Sequence, residues 1–166
     1  MKKKYGAIKT TLVFSVLFLG VFAINSNAQE MAVPAGLQAA LFKKIFSFDK
    51  TLAAKGTIEV AVIGNGGDAI VSAFKDAGVS AKVSDQIPAG ATIVYMMPGA
   101  ASLKQQTASR GILSISGVSS YVEEGRISIG LGIEGGKPKI IVNMAQLKAE
   151  GQELSADLLS IAKIIQ

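Results

Sequence analysis

Gly64-Asn65-Gly66-Gly67-Asp68 is the stretch whose residue types and spacing could most readily bind something. It sits between an apolar strand-like run and a helical pattern, where backbone N–H groups can converge on a phosphate or carboxylate. It lacks the full GxGxxG spacing and carries no Lys-Ser/Thr pair. The competing reading is a tight glycine turn with Asp68 capping the helix. Tyr95-Met96-Met97-Pro98 is a second candidate ligand or partner surface, because adaptable apolar residues stand there at a strand end. Core packing is its alternative. Gly130 and Gly132 form a third, alternating with Ile129, Leu131 and Ile133 so that one face of a hairpin is left almost bare. Such a face admits a close approach of backbone or partner, internal or foreign.

Catalysis is hard to staff. The chain has no Cys, His or Trp and three Tyr, so thiol nucleophiles, thiolate metal sites and the commonest general base and metal ligand are missing. Glu123 and Glu124 are adjacent and diverge in direction, which suits a solvated turn. Ser114, Ser116, Ser119 and Ser120 have no candidate base, and the G-x-S-x-G elbow is absent; these serines are expected to satisfy local backbone or face solvent. No catalytic residue, metal or cofactor is expected. Asn143 and Ser155 read as helix caps.

The elements that must position these residues follow from periodicity. Leu37, Leu41, Ile45, Phe48 and Leu52 recur at helical spacing and predict one helix ending before Gly56. Residues 57–64 are β-branched and almost continuously apolar, as in a strand covered on both faces. A helix over 68–77, a short strand over 80–83 and a second buried strand over 91–97 follow. Beyond them come a polar helix over 101–109, a strand over 111–117 and a turn or short helix over 118–125. Residues 126–134 and 137–144 flank Gly135-Gly136, a pair that favours a tight antiparallel hairpin. A helical turn over 145–149 precedes a closing helix, with Leu154, Leu158, Ile161, Ala162 and Ile165 on one face. The alternation predicts a three-layer α/β domain with a mostly parallel sheet, a C-terminal hairpin and a closing helix.

The first 28 residues read as an export signal. Lys2, Lys3, Lys4 and Lys9 precede an apolar run over 11–24, and Ser26 and Ala28 are the small residues at which signal peptidase cuts. The run is short of the roughly 20 residues of a spanning helix. Residues 1–28 are therefore expected to be removed, leaving 29–166 as one domain. All but four of the 17 basic residues and all 12 acidic ones lie beyond residue 28, so the exported chain is close to neutral. A nucleic-acid partner loses its support.

From Gly111 onward the order of motifs resembles the YfiR-like family of exported bacterial proteins. GILSISGVSSYVEEG stands for its short strand and loop, RISIGLGIE for its glycine-containing hairpin strand, and KIIVN, ending in Asn143, for its second strand. LSADLLSIA (154–162) carries the serine, paired leucines and alanine of the closing segment in register. The resemblance implies a periplasmic, non-enzymatic α/β regulator or adaptor that binds the outer part of a membrane signalling protein, a diguanylate cyclase in the characterised case. A small-ligand (anion) binding protein using 64–68 and the 95–98 strand end is the rival expectation. Self-association as a homodimer through the glycine-bare hairpin is left open.

Overall fold

Strands rich in β-branched residues, apolar on successive positions, must be covered on both faces, and the computed structural model, which describes residues 31–166, shows how this is done. The leader reading lies outside the described residues. The chain runs through α1 (Ala35–Phe46), α2 (Lys50–Lys55), β1 (Glu59–Ile63), α3 (Asp68–Asp76), β2 (Ser80–Ser84), β3 (Ile93–Met96) and α4 (Lys104–Arg110). It continues through β4 (Leu113–Ser116), α5 (Ser119–Glu123), β5 (Ile129–Glu134), β6 (Lys137–Asn143), α6 (Met144–Ala149), α7 (Ala156–Ile161) and β7 (Lys163–Ile165). The strands form one seven-stranded sheet in the order β2-β1-β3-β4-β5-β6-β7. Every neighbouring pair is parallel except the β5–β6 hairpin. The expected α/β class, mostly parallel sheet and C-terminal hairpin are therefore present.

Alternation along the strands divides the core. Val60, Val62, Ile93, Tyr95, Leu113, Ile115, Ile129 and Leu131 face one side, where α1 and α3 contribute Phe42, Phe46, Ile70 and Phe74. Phe42 and Phe74 meet the Tyr95 ring edge-on, with centroids 6.1 and 6.0 Å away, a favourable geometry for aromatic quadrupoles. Ala61, Ile63, Val94 and Met96 face the other side, under Tyr121 and Val122 of α5 and under Ile87 and Ala91 of the β2–β3 connection.

Two expected elements differ. The single helix through Leu52 is broken: α1 stops at Phe46, with Ser47 as its C-cap, and Asp49 starts a second helix. Its Oδ1 accepts from the N–H of Thr51 (2.8 Å) and of Leu52 (3.0 Å), capping α2; a short acceptor side chain competes with helix continuation in this way. The break is held from outside by Lys50 N–H to Glu153 O and Ser155 N–H to Phe48 O, both 2.9 Å. The closing helix also stops early. Ala162 is extended (φ −85°, ψ 153°), and residues 163–165 pair with β6 as a parallel strand. Without β7 the β6 edge would leave its N–H and C=O groups open, and the β-branched Ile164 and Ile165 suit that position.

Asp49 is fully buried and its Oδ2 has no hydrogen-bond partner. Burial pushes the carboxyl above its ordinary 3.8, while the Leu52 and Thr51 N–H groups pull it back. The folded chain therefore holds this proton to higher pH than the unfolded chain. Its contribution to stability is complete below the ordinary carboxylate value and is lost as pH rises through the raised one. Urea midpoints taken between about pH 4 and 7 should fall with rising pH in the natural protein relative to Asp49→Asn, which keeps an oxygen for the cap and does not titrate there. Parallel profiles would refute this.

Candidate functional site

β1 pairs with both β2 and β3, and the chain leaves it in opposite directions, so the C-terminal ends of β1 and β3 flank the position where open α/β sheets hold ligands. That crevice is shut. A Cβ placed on Gly64 (φ +115°) would lie 2.8 Å from Met97 Cβ and 3.3 Å from Ala100 Cβ, so the two loops already touch. Met97 N–H donates to Ile63 O at 2.9 Å and seals them. Gly67 packs onto Val62, whose Cγ1 would stand 2.7 Å from an added Cβ, and Gly66 turns the chain at φ +75°. The side chains of Asn65 and Asp68 are exposed and make no hydrogen bond or ion pair among the described residues. Gly67, not Asp68, occupies the cap position of α3, with no side-chain cap bond. The glycines serve close packing and a turn.

Tyr95, Met96 and Met97 are buried in the core, which corrects their reading as a ligand or partner surface. The strand end lies between the two cores, Tyr95 and Met97 on the α1 side and Met96 on the α5 side, and not in a cleft. Tyr95 Oη donates to Gln38 Oε1 (2.6 Å) and accepts from Gly117 N–H (3.1 Å), and Gln38 Nε2 donates to Val33 O at 2.6 Å. Burial raises the phenol well above its ordinary value, so it stays protonated and acts as a fixed donor. A Cβ at Gly117 would overlap the Gln38 amide, so the glycine leaves the room in which Gln38 makes these hydrogen bonds.

The bare hairpin face is covered from within. An added Cβ at Gly130 would overlap Val122 Cγ2, and one at Gly132 would lie 3.3 Å from both Ser119 Cβ and Ile141 Cδ1, so α5 is the element that approaches. Asn143 Oδ1 accepts from Gln146 N–H (2.9 Å) at the start of α6, and its Nδ2 donates to Val122 O (3.1 Å), tying α5 to the same point. Ser155 Oγ accepts from Leu158 N–H at 3.4 Å at the start of α7. Beside them, Arg126 stacks its guanidinium 3.7 Å from the Tyr121 ring centroid and donates to Ala100 O. Tyr121 Oη accepts from Gly99 N–H at 2.7 Å.

Sequence reasoning missed Glu150, which follows α6 and is fully buried. Its carboxylate accepts from Ser114 N–H (3.0 Å), Ser114 Oγ (2.6 Å), Gln146 Nε2 (2.9 Å) and Ser128 Oγ. The serine of β4 read as a local or solvent-facing hydroxyl is thus half of a buried anchor. Ser116 is local only in part: it accepts from Val118 N–H at 3.0 Å but donates to Met96 O on β3 at 2.6 Å. A serine at an inward strand position such as Ser114 was the available signal that a polar partner is buried nearby.

Glu123 and Glu124 diverge, to Lys163 (3.0 Å) and Arg126 (3.6 Å). Among the described residues no three His, Cys, Asp or Glu gather to hold a metal ion. What remains exposed and unusual is apolar: Leu37 on α1, Ile133 on the hairpin, Ile161 on α7 and Ile164 on β7. Among the described residues, these apolar side chains are the surface feature that the packing of the fold leaves unexplained. The sequence model of a family described as YfiR/HmsC-like matches residues 36–163. No curated protein matches the chain.

Two substitutions test these assignments by urea denaturation. Glu150→Ala strands buried neutral donors and should cost roughly 1–3 kcal/mol for each one left unsatisfied, whereas Glu153→Ala, whose partner Lys50 is exposed with it, should stay within about 1 kcal/mol. Gly130→Ala should cost about 1–3 kcal/mol by overpacking against Val122. With Val122→Ala added, the combined loss should fall about 1 kcal/mol short of the sum of the single losses; strict additivity would show that α5 is not what requires the glycine.

Proposed function

The chain belongs to the YfiR/HmsC-like family, and from that membership we propose that it is a non-enzymatic periplasmic regulator or adaptor, exported by cleavage after Ala28. On this reading it binds the periplasmic part of a membrane signalling protein, a diguanylate cyclase or a sensor kinase, and modulates its output. The family match over residues 36–163 carries the proposal. The distribution of side chains supports it: buried Gln38, Glu150 and Asn143 anchor strands and helices, and large apolar side chains stand on the surface. Regulation of this kind needs only differential affinity, since a binder shifts a two-state partner by as much as its affinities for the two states differ. About a tenfold preference moves the active-to-inactive ratio about tenfold. An anion-binding role draws little support from a strand-end crevice filled by Gly64, Met97 and Ala100.

Affinity-tagged protein expressed in its own cells and purified from solubilised membranes should recover an integral signalling protein with a periplasmic domain. Deletion of the gene should change cyclic di-nucleotide levels or the output of a sensor kinase. Recovery of no such protein, together with unchanged outputs, would overturn the adaptor reading.

A further inference from the structure

Four of the five exposed large hydrophobic residues, Leu37 (43%), Ile133 (46%), Ile161 (62%) and Ile164 (38%), belong to elements around one side of the sheet. Leu37 lies one turn before Leu41 on α1. Ile133 is paired with Pro138 across the hairpin, and Ile164 is paired with Val142, on the same sheet face as Ile140. Between α1, α7 and the outer half of the hairpin run two depressions, one of about 440 Å³ toward the hairpin tip and one of about 130 Å³ reaching down to Phe48 and Leu158. Both are lined by Leu41, Ile140 and Ile161, so they form one groove.

Resting on the adaptor reading above, we propose that this groove receives an amphipathic helix of the signalling partner, with an apolar stripe flanked by acidic residues. The floor of the groove is the face of β6, not its edge. An extended segment lying there would find no backbone to pair with, whereas a helix satisfies its own N–H and C=O groups. The position is a vacant place in the helical layer, bounded by a helix on each side. The rim sets the sign of the partner. Lys44 and Lys137 line it and make no ion pair among the described residues, and Lys139 is matched by Glu134 at 3.7 Å. Two uncompensated positive charges beside an apolar floor complement acidic flanks and repel basic ones. The deeper apolar residues are recessed between helices, so a flat bilayer surface would not reach them.

The test uses ¹⁵N-labelled protein and a synthetic helical peptide of about five turns, with leucines at i, i+3, i+4 and i+7 spacing and glutamates on both flanks. A control peptide carries lysines in place of the glutamates. Amide shifts should cluster around Leu41, Ile140 and Ile161, and the glutamate peptide should bind at least about tenfold more tightly than the control. Ile161→Glu, a change at an exposed position, should weaken binding about tenfold or more, and the Lys44→Glu/Lys137→Glu double variant should reverse the preference between peptides. Equal binding of the two peptides, shifts elsewhere, or no shifts would overturn the proposal. So would a dimer in sedimentation that Ile161→Glu dissociates, which would give the groove to a second copy, or co-sedimentation with phosphatidylglycerol vesicles that the same change abolishes. If Ile161→Glu protein recovers the membrane partner as well as the natural protein does, the groove assignment fails and the adaptor reading stands. If the natural protein recovers none, the adaptor reading itself fails.

Discussion

The sheet depends on one buried carboxylate. β4 and β5 share only two register pairs, Ile115 with Ile129 and Ser116 with Gly130, so the seam between the parallel half and the hairpin is the thinnest part of the ladder. At its open end, where Ser114 faces Ser128, Glu150 reaches in and takes both hydroxyls and the Ser114 N–H. Ser128 N–H meanwhile donates to Ser114 Oγ at 2.9 Å. A buried carboxyl group is tolerable only when its acceptor positions are filled by donors, and here the donors come from Ser114 of β4, from Ser128 just before β5 and from Gln146. Its placement follows from the cap before it: Asn143 ends β6, starts α6, and thereby sets where Glu150 emerges one short helix later.

At the opposite end of the strands, closure is achieved without charge. Gly64 lets the β1 loop rest on Met97 and Ala100, and Gly117 lets Gln38 reach the Tyr95 hydroxyl. The Met97–Ala100 loop is then clamped from the second face by the Tyr121 hydroxyl and Arg126. A strand order that elsewhere opens a ligand crevice is here packed shut by glycines at close approaches. The same residues that first suggested a binding loop are those that remove it, and the surface available for recognition moves to the side of the domain.

Much of this could be read in the sequence, because it rests on local rules. Continuous β-branched runs gave β1 and β3, and the hairpin turn uses Gly135 and Gly136 at φ +57° and +75°, a conformation that glycine reaches without strain. The Asn143 and Ser155 positions follow from side-chain chemistry alone. What was not legible depends on residues far apart in the chain. Asp49 breaks a helical stripe whose apolar spacing runs on through Leu52, and the break is fixed by backbone at 153–155. Glu150 sits in KAEGQE, which reads as a solvated helix end, because nothing local announces serines 22 and 36 residues away.

The C-terminal segment shows two such rules in competition. Apolar spacing over 154–165 favours a continuous helix that would bury Ile161, Ala162 and Ile165 along one face. The unpaired edge of β6 favours a strand, and the strand wins because three residues of backbone find partners there while Ile165 packs against the second-face core. Turning at Ala162 has a consequence for α7: Ile161 loses the surface it would have covered and stands largely exposed beside Leu41 and Ile140. Sheet completion on one edge thus creates apolar exposure on the adjoining face. The groove beside α1 is therefore tied to the same turn that protects β6.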